Sequence, residues 1–237
     1  TISGVTADNK VYDSLTGTTL TSGGATLNGI LAQDSTVQLD RSAATGNFTS
    51  VNVGNNLGVI ASGFALTGAG ASNYALAQPT GLTANITPRP LTLTITSNPT
   101  KVYDGTDAVT LNPSTDFSLS GFVAGEGASI AQAAHASYDN PNAGAHGITV
   151  GLATSDYVAA GGTLLSNYIL PTVGTANGTI TPAPLVARII NNPTKVYDTL
   201  TTFDATTGNT GANAGVGLVA GNYEIAGFIG SDGATVS

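Results

Sequence analysis

The chain has 237 residues, carries a formal net charge of −8 and draws 8% of its residues from Asp, Glu, Lys and Arg, against about 25% in an ordinary soluble domain. Six basic residues over that length cannot build the cationic patch that displaces counterions from phosphates, which excludes a nucleic-acid surface and disfavours anionic membranes. There is no Cys and no run approaches 18 apolar residues, so disulfides and a membrane-spanning helix are not expected.

The first element in the chain is Lys10-Val11-Tyr12-Asp13. It recurs at Lys101–Asp104 and Lys195–Asp198, at intervals of 91 and 94 residues, and it holds all three lysines of the protein. A residue type used nowhere else points to a positional role. Asn28-Gly29, between apolar residues, predicts a hairpin turn. Ser72-Asn73-Tyr74 recurs 94 residues later as Ser166-Asn167-Tyr168. Ile86-Thr87-Pro88-Arg89-Pro90-Leu91 recurs, again 94 later, as Ile180-Thr181-Pro182-Ala183-Pro184-Leu185. Two prolines at i and i+2 hold the backbone extended and remove two donors, so this junction reads as a stiff joint.

Leu91–Thr96 alternates apolar and polar, the period of a half-buried strand. Its copy, Leu185–Ile189, would turn Leu185, Ala187 and Ile189 inward and Arg188 outward. Gly121-Phe122-Val123 matches Gly29-Ile30-Leu31 before it and Gly227-Phe228-Ile229 after it. Ile148–Val150 and Leu164–Leu170 also read as strands. Asn177-Gly178, set against Ala84-Asn85-Ile86 of the first copy, suggests a β-bulge. The third copy gains 12 residues near 206–219, rich in Gly, Asn and Ala, which read as a longer loop.

Three markers in one order at one period make this a repeat protein. The copies are 1–88, 89–182 and an incomplete third at 183–237. No segment shows a helical period, and short strands between turn signals predict an all-β fold, with each copy a β-sandwich of immunoglobulin type. A β-grasp module with one short helix is the alternative. Without a flexible linker, the modules are expected to stack end to end as a rod. The first residue is not Met, so the sequence reads as a fragment in which no signal peptide would be seen. The incomplete third copy is expected to be disordered alone, to complete itself with a neighbour or to lean on the second module.

Lys-Val-Tyr-Asp-Gly-Thr at Lys101–Thr106, Ser-Asn-Tyr before a strand and the closing Ile-Thr-Pro-x-Pro-Leu together resemble the YDG-type repeats of large filamentous-haemagglutinin-like exoproteins of Gram-negative bacteria. The resemblance covers nearly the whole chain. It implies a secreted adhesin, exported by an outer-membrane partner through two-partner secretion and displayed on the cell surface or in a biofilm matrix. Gly105 is replaced by Ser14 in the first copy and Thr199 in the third, so the freedom of Gly is not essential at that turn.

The candidate residues carry bland and sharp readings. Tyr12, Tyr103 and Tyr197 would pack at the module edge, Asp13, Asp104 and Asp198 would cap a turn, and the lysine would pair locally. The sharper reading is an isopeptide bond between Lys101 and Asn167 with an acidic catalyst. Asp104-Gly105-Thr106-Asp107 offers two carboxylates beside a Gly but lacks the alternation of a calcium loop. A turn is favoured there, and calcium is the one cofactor kept open. His135 and His146 have no carboxylate at metal-ligand spacing and read as exposed loop residues. No Gly-x-Ser-x-Gly or phosphate loop is present, and no catalytic or cofactor-binding residue is assigned. The expectation is a structural spacer of an adhesin rather than an enzyme. Direct binding of extracellular polysaccharide or host glycan is the alternative, and low charge adds an expectation of lateral self-association.

Overall fold

The computed structural model describes residues 1–131, 135–190 and 223–234. They are all-β: strands joined by turns and by single turns of 3-10 helix three residues long, with no α-helix among the described residues. Frequent Gly, Thr and Asn disfavour helix interiors, as the sequence implies. The β-grasp alternative therefore lacks its helix within this range.

The chain forms two compact units. One comprises Thr1–Thr96, Asn112–Ala134 and Gly151–Gly174; the other comprises Ser97–Leu111, His135–Val150 and Thr175–Ser237. These units do not coincide with the sequence copies, because strands of the second copy are divided between them.

The first unit is organised by a five-stranded sheet in the order Lys10–Val11, Leu82–Thr87, Gly54–Ser62, Thr45–Phe48, Gly17–Thr18. Lys10–Val11 runs parallel to Leu82–Thr87, with Lys10 opposite Ile86 and Val11 opposite Thr87. The other pairings in this sheet are antiparallel. Alternation puts Phe48, Val59, Ala84 and Ile86 on the buried face. Their cluster extends into the second copy, taking in Leu91 and Tyr168, with Phe122, Val123 and Leu170 packed against it. Six two-stranded ribbons complete the unit, among them Thr92–Ile95 with Phe117–Ser120 and Gly127–Ile130 with Tyr157–Ala160.

The second unit holds a four-stranded sheet in the order Thr100–Val102, Val173–Thr181, Gly144–Gly151, His135–Tyr138. The first pairing is again parallel, with Lys101 opposite Ile180. Ile148, Val150 and Ile180, each at most 1% exposed, are its buried core. A ribbon of Val186–Ile189 with Tyr223–Ala226 follows.

Several local expectations change. Asn28-Gly29 does not close a hairpin: Thr26–Leu27 pairs back to Ile2–Ser3, and a 3-10 turn at Ala32–Asp34 follows. Gly29 does adopt positive φ, +89°, so the pair is a turn without a hairpin. The run Leu164–Leu170 is not one strand. Leu165–Asn167 is a 3-10 turn and only Tyr168–Ile169 pairs, because Asn167 turns inward to bond a neighbouring loop. A register shift occurs in the first copy, between Ala84 and Ile86. Val186–Ile189 is exposed along its whole length, with Leu185 at 49% and Ile189 at 56%. The predicted inward face is uncovered among the described residues, where a two-stranded ribbon has no second layer. The third Lys-Val-Tyr-Asp and the insert near 206–219 lie outside the described residues.

Candidate functional site

The first and third sequence markers are partners in space. In both copies the lysine strand lies parallel beside the Ile-Thr-Pro strand, and the threonine hydroxyl closes the pair. Thr87 Oγ1 donates to Lys10 O and Thr181 Oγ1 donates to Lys101 O, each at 3.2 Å. The next amide continues the ladder: Tyr12 N donates to Thr87 O at 2.9 Å and Tyr103 N to Thr181 O at 2.8 Å.

The lysine then folds back over the following loop. Lys10 Nζ donates to Leu15 O at 2.7 Å and Gly17 O at 3.0 Å and pairs with Asp13 at 2.5 Å. Lys101 Nζ repeats this on Thr106 O at 2.8 Å and Ala108 O at 3.2 Å, with Asp104 at 2.7 Å. An ammonium has three donors and no acceptor, and these contacts use them. The aspartate caps the same turn: Asp13 Oδ1 accepts from Leu15 N, and Asp104 Oδ1 accepts from Thr106 N and Oγ1. The Lys101 ammonium and the Thr106 donors hold the Asp104 carboxyl down at about 2. The turn-capping and local-pairing reading therefore stands for the first two copies; Asp198 and Tyr197 lie outside the described residues. The isopeptide reading gains no support, since Lys101 Nζ is spent on its loop and Asn167 is bonded elsewhere.

The tyrosine of the motif serves a different purpose. Tyr12, 3% exposed, donates through its hydroxyl to Glu126 Oε1 at 2.6 Å. Tyr168, of the Ser-Asn-Tyr marker, donates to the other oxygen, Glu126 Oε2, at 2.5 Å. One carboxylate thus holds two tyrosines, one from each copy. Bonds of this length to an ionised acceptor are among the strong ones. The two rings meet edge to face at 5.4 Å, and Phe122 adds a second such contact to Tyr168 at 5.0 Å. Burial, then the bond to Glu126, pushes the Tyr168 hydroxyl up to about 12. Tyr12 is raised for the same reasons in the same order.

Asn167 completes the joint. It is 2% exposed, and a buried amide must find partners. Its Oδ1 accepts from Val53 N at 3.0 Å and its Nδ2 donates to Asn52 Oδ1 at 3.1 Å. Arg89–Pro90 of the proline junction runs parallel to Tyr168–Ile169, Leu91 N donates to Ile169 O, and Arg89 Nε reaches Gly121 O at 2.6 Å.

The first copy has its own version of the tyrosine–acid contact. Tyr74 donates to Asp34 Oδ2 at 2.7 Å and accepts from Leu31 N at 3.0 Å, as Tyr168 accepts from Val123 N at 3.2 Å. In the second unit Tyr103 donates to Asp232 Oδ2 at 3.1 Å. Asp34, Glu126 and Asp232 all stand four positions after the residue that follows the repeated Gly, at Ile30, Phe122 and Phe228. Sequence reasoning matched the Gly–apolar pair and missed the acid behind it. An acid at the same offset in three copies was the available signal.

The histidine expectation is corrected. His146 lies within the strand Gly144–Gly151, and its side chain is 14% exposed. Nδ1 sits 3.0 Å from Asp139 Oδ1 and Nε2 sits 2.8 Å from Asn142 O. Strand geometry brings Asp139 across from it, which sequence spacing did not suggest. His135 opens the strand His135–Tyr138 rather than lying in a loop. Among the described residues no group of three or more His, Asp or Glu is placed to hold a metal.

The arrangement is a clamp: a carboxylate saturated by two phenols, in a setting of aromatic and amide contacts. The sequence pattern of the YDG domain matches residues 1–81 and 87–176. The chain belongs to the YDG domain family. No curated protein and no solved structure matches it. The two matched stretches each contain one Lys-Val-Tyr-Asp and one Ser-Asn-Tyr, so the YDG copies carry both halves of the clamp.

Proposed function

We propose that these YDG copies are structural spacers of a secreted bacterial adhesin, in which each copy is clamped to the next. The observation that carries this reading is the Tyr12–Glu126–Tyr168 bridge, which ties the first copy to the second. A spacer needs the same joint at every step, and the tyrosine–acid contact recurs at Tyr103–Asp232. An active site would be needed only once. Low charge and a Thr-, Ser-, Asn- and Gly-rich surface suit an extracellular or cell-surface location, with secretion through an outer-membrane partner and work in adhesion or a biofilm matrix. In this reading the copies follow one another end to end as a rod of β-modules, and the clamp with the Pro-x-Pro junction supplies stiffness.

Small-angle X-ray scattering of the chain tests it. The expected profile is long and stiff, unchanged by a calcium chelator, and more flexible in Glu126→Ala. A flexible wild-type profile, or extension that depends on calcium, overturns the clamp as the source of rigidity. Saturable binding on a glycan array would instead favour the direct-binding alternative.

A further inference from the structure

We infer that the second unit carries a preformed groove for a Ser-Asn-Tyr strand of a YDG copy. The groove is a cavity of about 390 Å³ between Tyr103, the Asn142-Ala143 loop, Pro182–Leu185, Phe228-Ile229 and Asp232. Each of these walls has a counterpart in the first unit, and there the counterparts surround Asn167 and Tyr168.

The correspondence runs through the repeat. Tyr12 meets the Tyr168 ring edge to face, and Tyr103 occupies the same motif position. Phe122 meets that ring from another side, and Phe228 follows the repeated Gly in the same way. Glu126 gives one oxygen to each tyrosine. Asp232 gives one oxygen to Tyr103, and among the described residues its other oxygen has no partner. Asn52 and Val53 N bond the Asn167 amide. Asn142 and Ala143 stand at the corresponding place, after a turn closed by a side chain two residues back: Asn52 N donates to Ser50 Oγ and Asn142 N to Asn140 Oδ1. Among the described residues, the Asn142 side chain and the Ala143 amide are without hydrogen-bond partners.

Exposure agrees. Leu91, covered by the cluster around Tyr168, is 8% exposed; Leu185, its counterpart at the cavity wall, is 49% exposed. A strand set as Tyr168–Ile169 is set against Arg89–Pro90 would run parallel to Ala183–Pro184. It would bring a tyrosyl hydroxyl to Asp232 and an asparagine amide to Asn142 and Ala143. This is strand addition, in which main-chain bonds give affinity and side-chain pockets give register. The inference is independent of the spacer reading, because it concerns what the groove accepts and not what the parent protein does.

The test uses the full chain and a labelled, capped peptide with the sequence of residues 163–171, followed by fluorescence anisotropy. Saturable binding is expected. Replacing the peptide's tyrosine by phenylalanine should weaken it about tenfold, as should Asp232→Asn in the chain, a conservative change at an exposed residue. No binding at millimolar peptide, or binding indifferent to both changes, overturns the inference. Self-association of the chain that protects 223–229 from exchange and that the peptide cannot displace would also overturn it, by showing that a different surface of a second copy fills the cavity. Hydrogen exchange at 223–229, read with and without peptide, locates the effect: protection there is expected, and protection confined to the first unit contradicts the assignment.

Discussion

Tyr12 and Glu126 stand 114 residues apart in sequence and 2.6 Å apart in space. That bond, with its mirror from Tyr168 to the other carboxylate oxygen, converts a sequence repeat into a joint. Neither copy owns the joint. The phenol of the first motif is buried by residues of the second copy, and the core of the first sheet is continued by Leu91 and Tyr168.

Removing either phenolic donor should therefore weaken the first unit. Tyr12→Phe keeps the ring contact and deletes one bond to a charged acceptor, a loss of about 1.5–3 kcal/mol. Tyr168→Phe should behave alike. The decisive measurement is a double-mutant cycle by urea denaturation. In a Glu126→Ala background either Phe substitution should cost well under half as much. Equal losses in both backgrounds would mean that the carboxylate is not the partner.

Alkali should attack the same joint. The Tyr168 hydroxyl titrates at about 12 in the folded chain and near 10 when unfolded. Its folded value is raised, so its contribution is complete below pH 10. It falls as pH rises, because the unfolded state sheds the proton first. Stability measured between pH 9 and 12 should decline across that window, and Tyr168→Phe should flatten the decline. An unchanged slope in the variant would sink the assignment.

The lysine staple gives an acid counterpart. The Asp104 carboxyl lies at about 2, held there by Lys101 and Thr106, against about 3.9 unfolded. Its folded value is depressed, so its contribution is present above pH 4 and disappears as pH falls toward 2. Asp104→Asn should remove part of the acid sensitivity of the second unit, followed by circular dichroism from pH 5 to 2. Lys101→Met should do the same, since it removes the group that lowers the carboxyl. Identical acid transitions in wild type and both variants would refute this.

The repeat and its β class were legible because Lys-Val-Tyr-Asp, Ser-Asn-Tyr and Ile-Thr-Pro recur intact. Each marker makes a bond that fixes its identity: lysine to loop carbonyls, threonine to the lysine carbonyl, tyrosine to an acid. Their pairing was not legible. Lys10 and Ile86 lie 76 residues apart, and a parallel register leaves no local turn signal. Glu126 was missed because the same job is done by Asp at positions 34 and 232, so no fixed tetrad marks it. Leu164–Leu170 looked like one strand because its apolar residues are contiguous. The buried amide of Asn167 demanded partners on another loop, and a 3-10 turn supplies the direction.

The structure gives Gly178 a role that the sequence does not signal. The glycine was read as a bulge marker, yet the structure assigns it a packing role. A Cβ there would lie 2.6 Å from Pro99 O, 2.8 Å from Ile148 Cδ1 and 2.9 Å from Tyr138 Cε1. Pro99 O is a busy acceptor, taking Thr179 N at 3.0 Å and the Tyr138 hydroxyl at 2.9 Å. A methyl at 178 would push that carbonyl aside and strain both bonds, besides overfilling a core where Ile148 and Ile180 are 1% exposed. Gly178→Ala should cost about 1–3 kcal/mol by overpacking, while Gly17→Ala, with nothing within 4 Å of the added atom, should stay within about 0.5 kcal/mol of wild type. A cycle with Tyr138→Phe separates the causes. If the carbonyl shift matters, losing the Tyr138 hydroxyl should cost less once Ala occupies 178; additive losses would leave steric crowding of Ile148 as the whole effect.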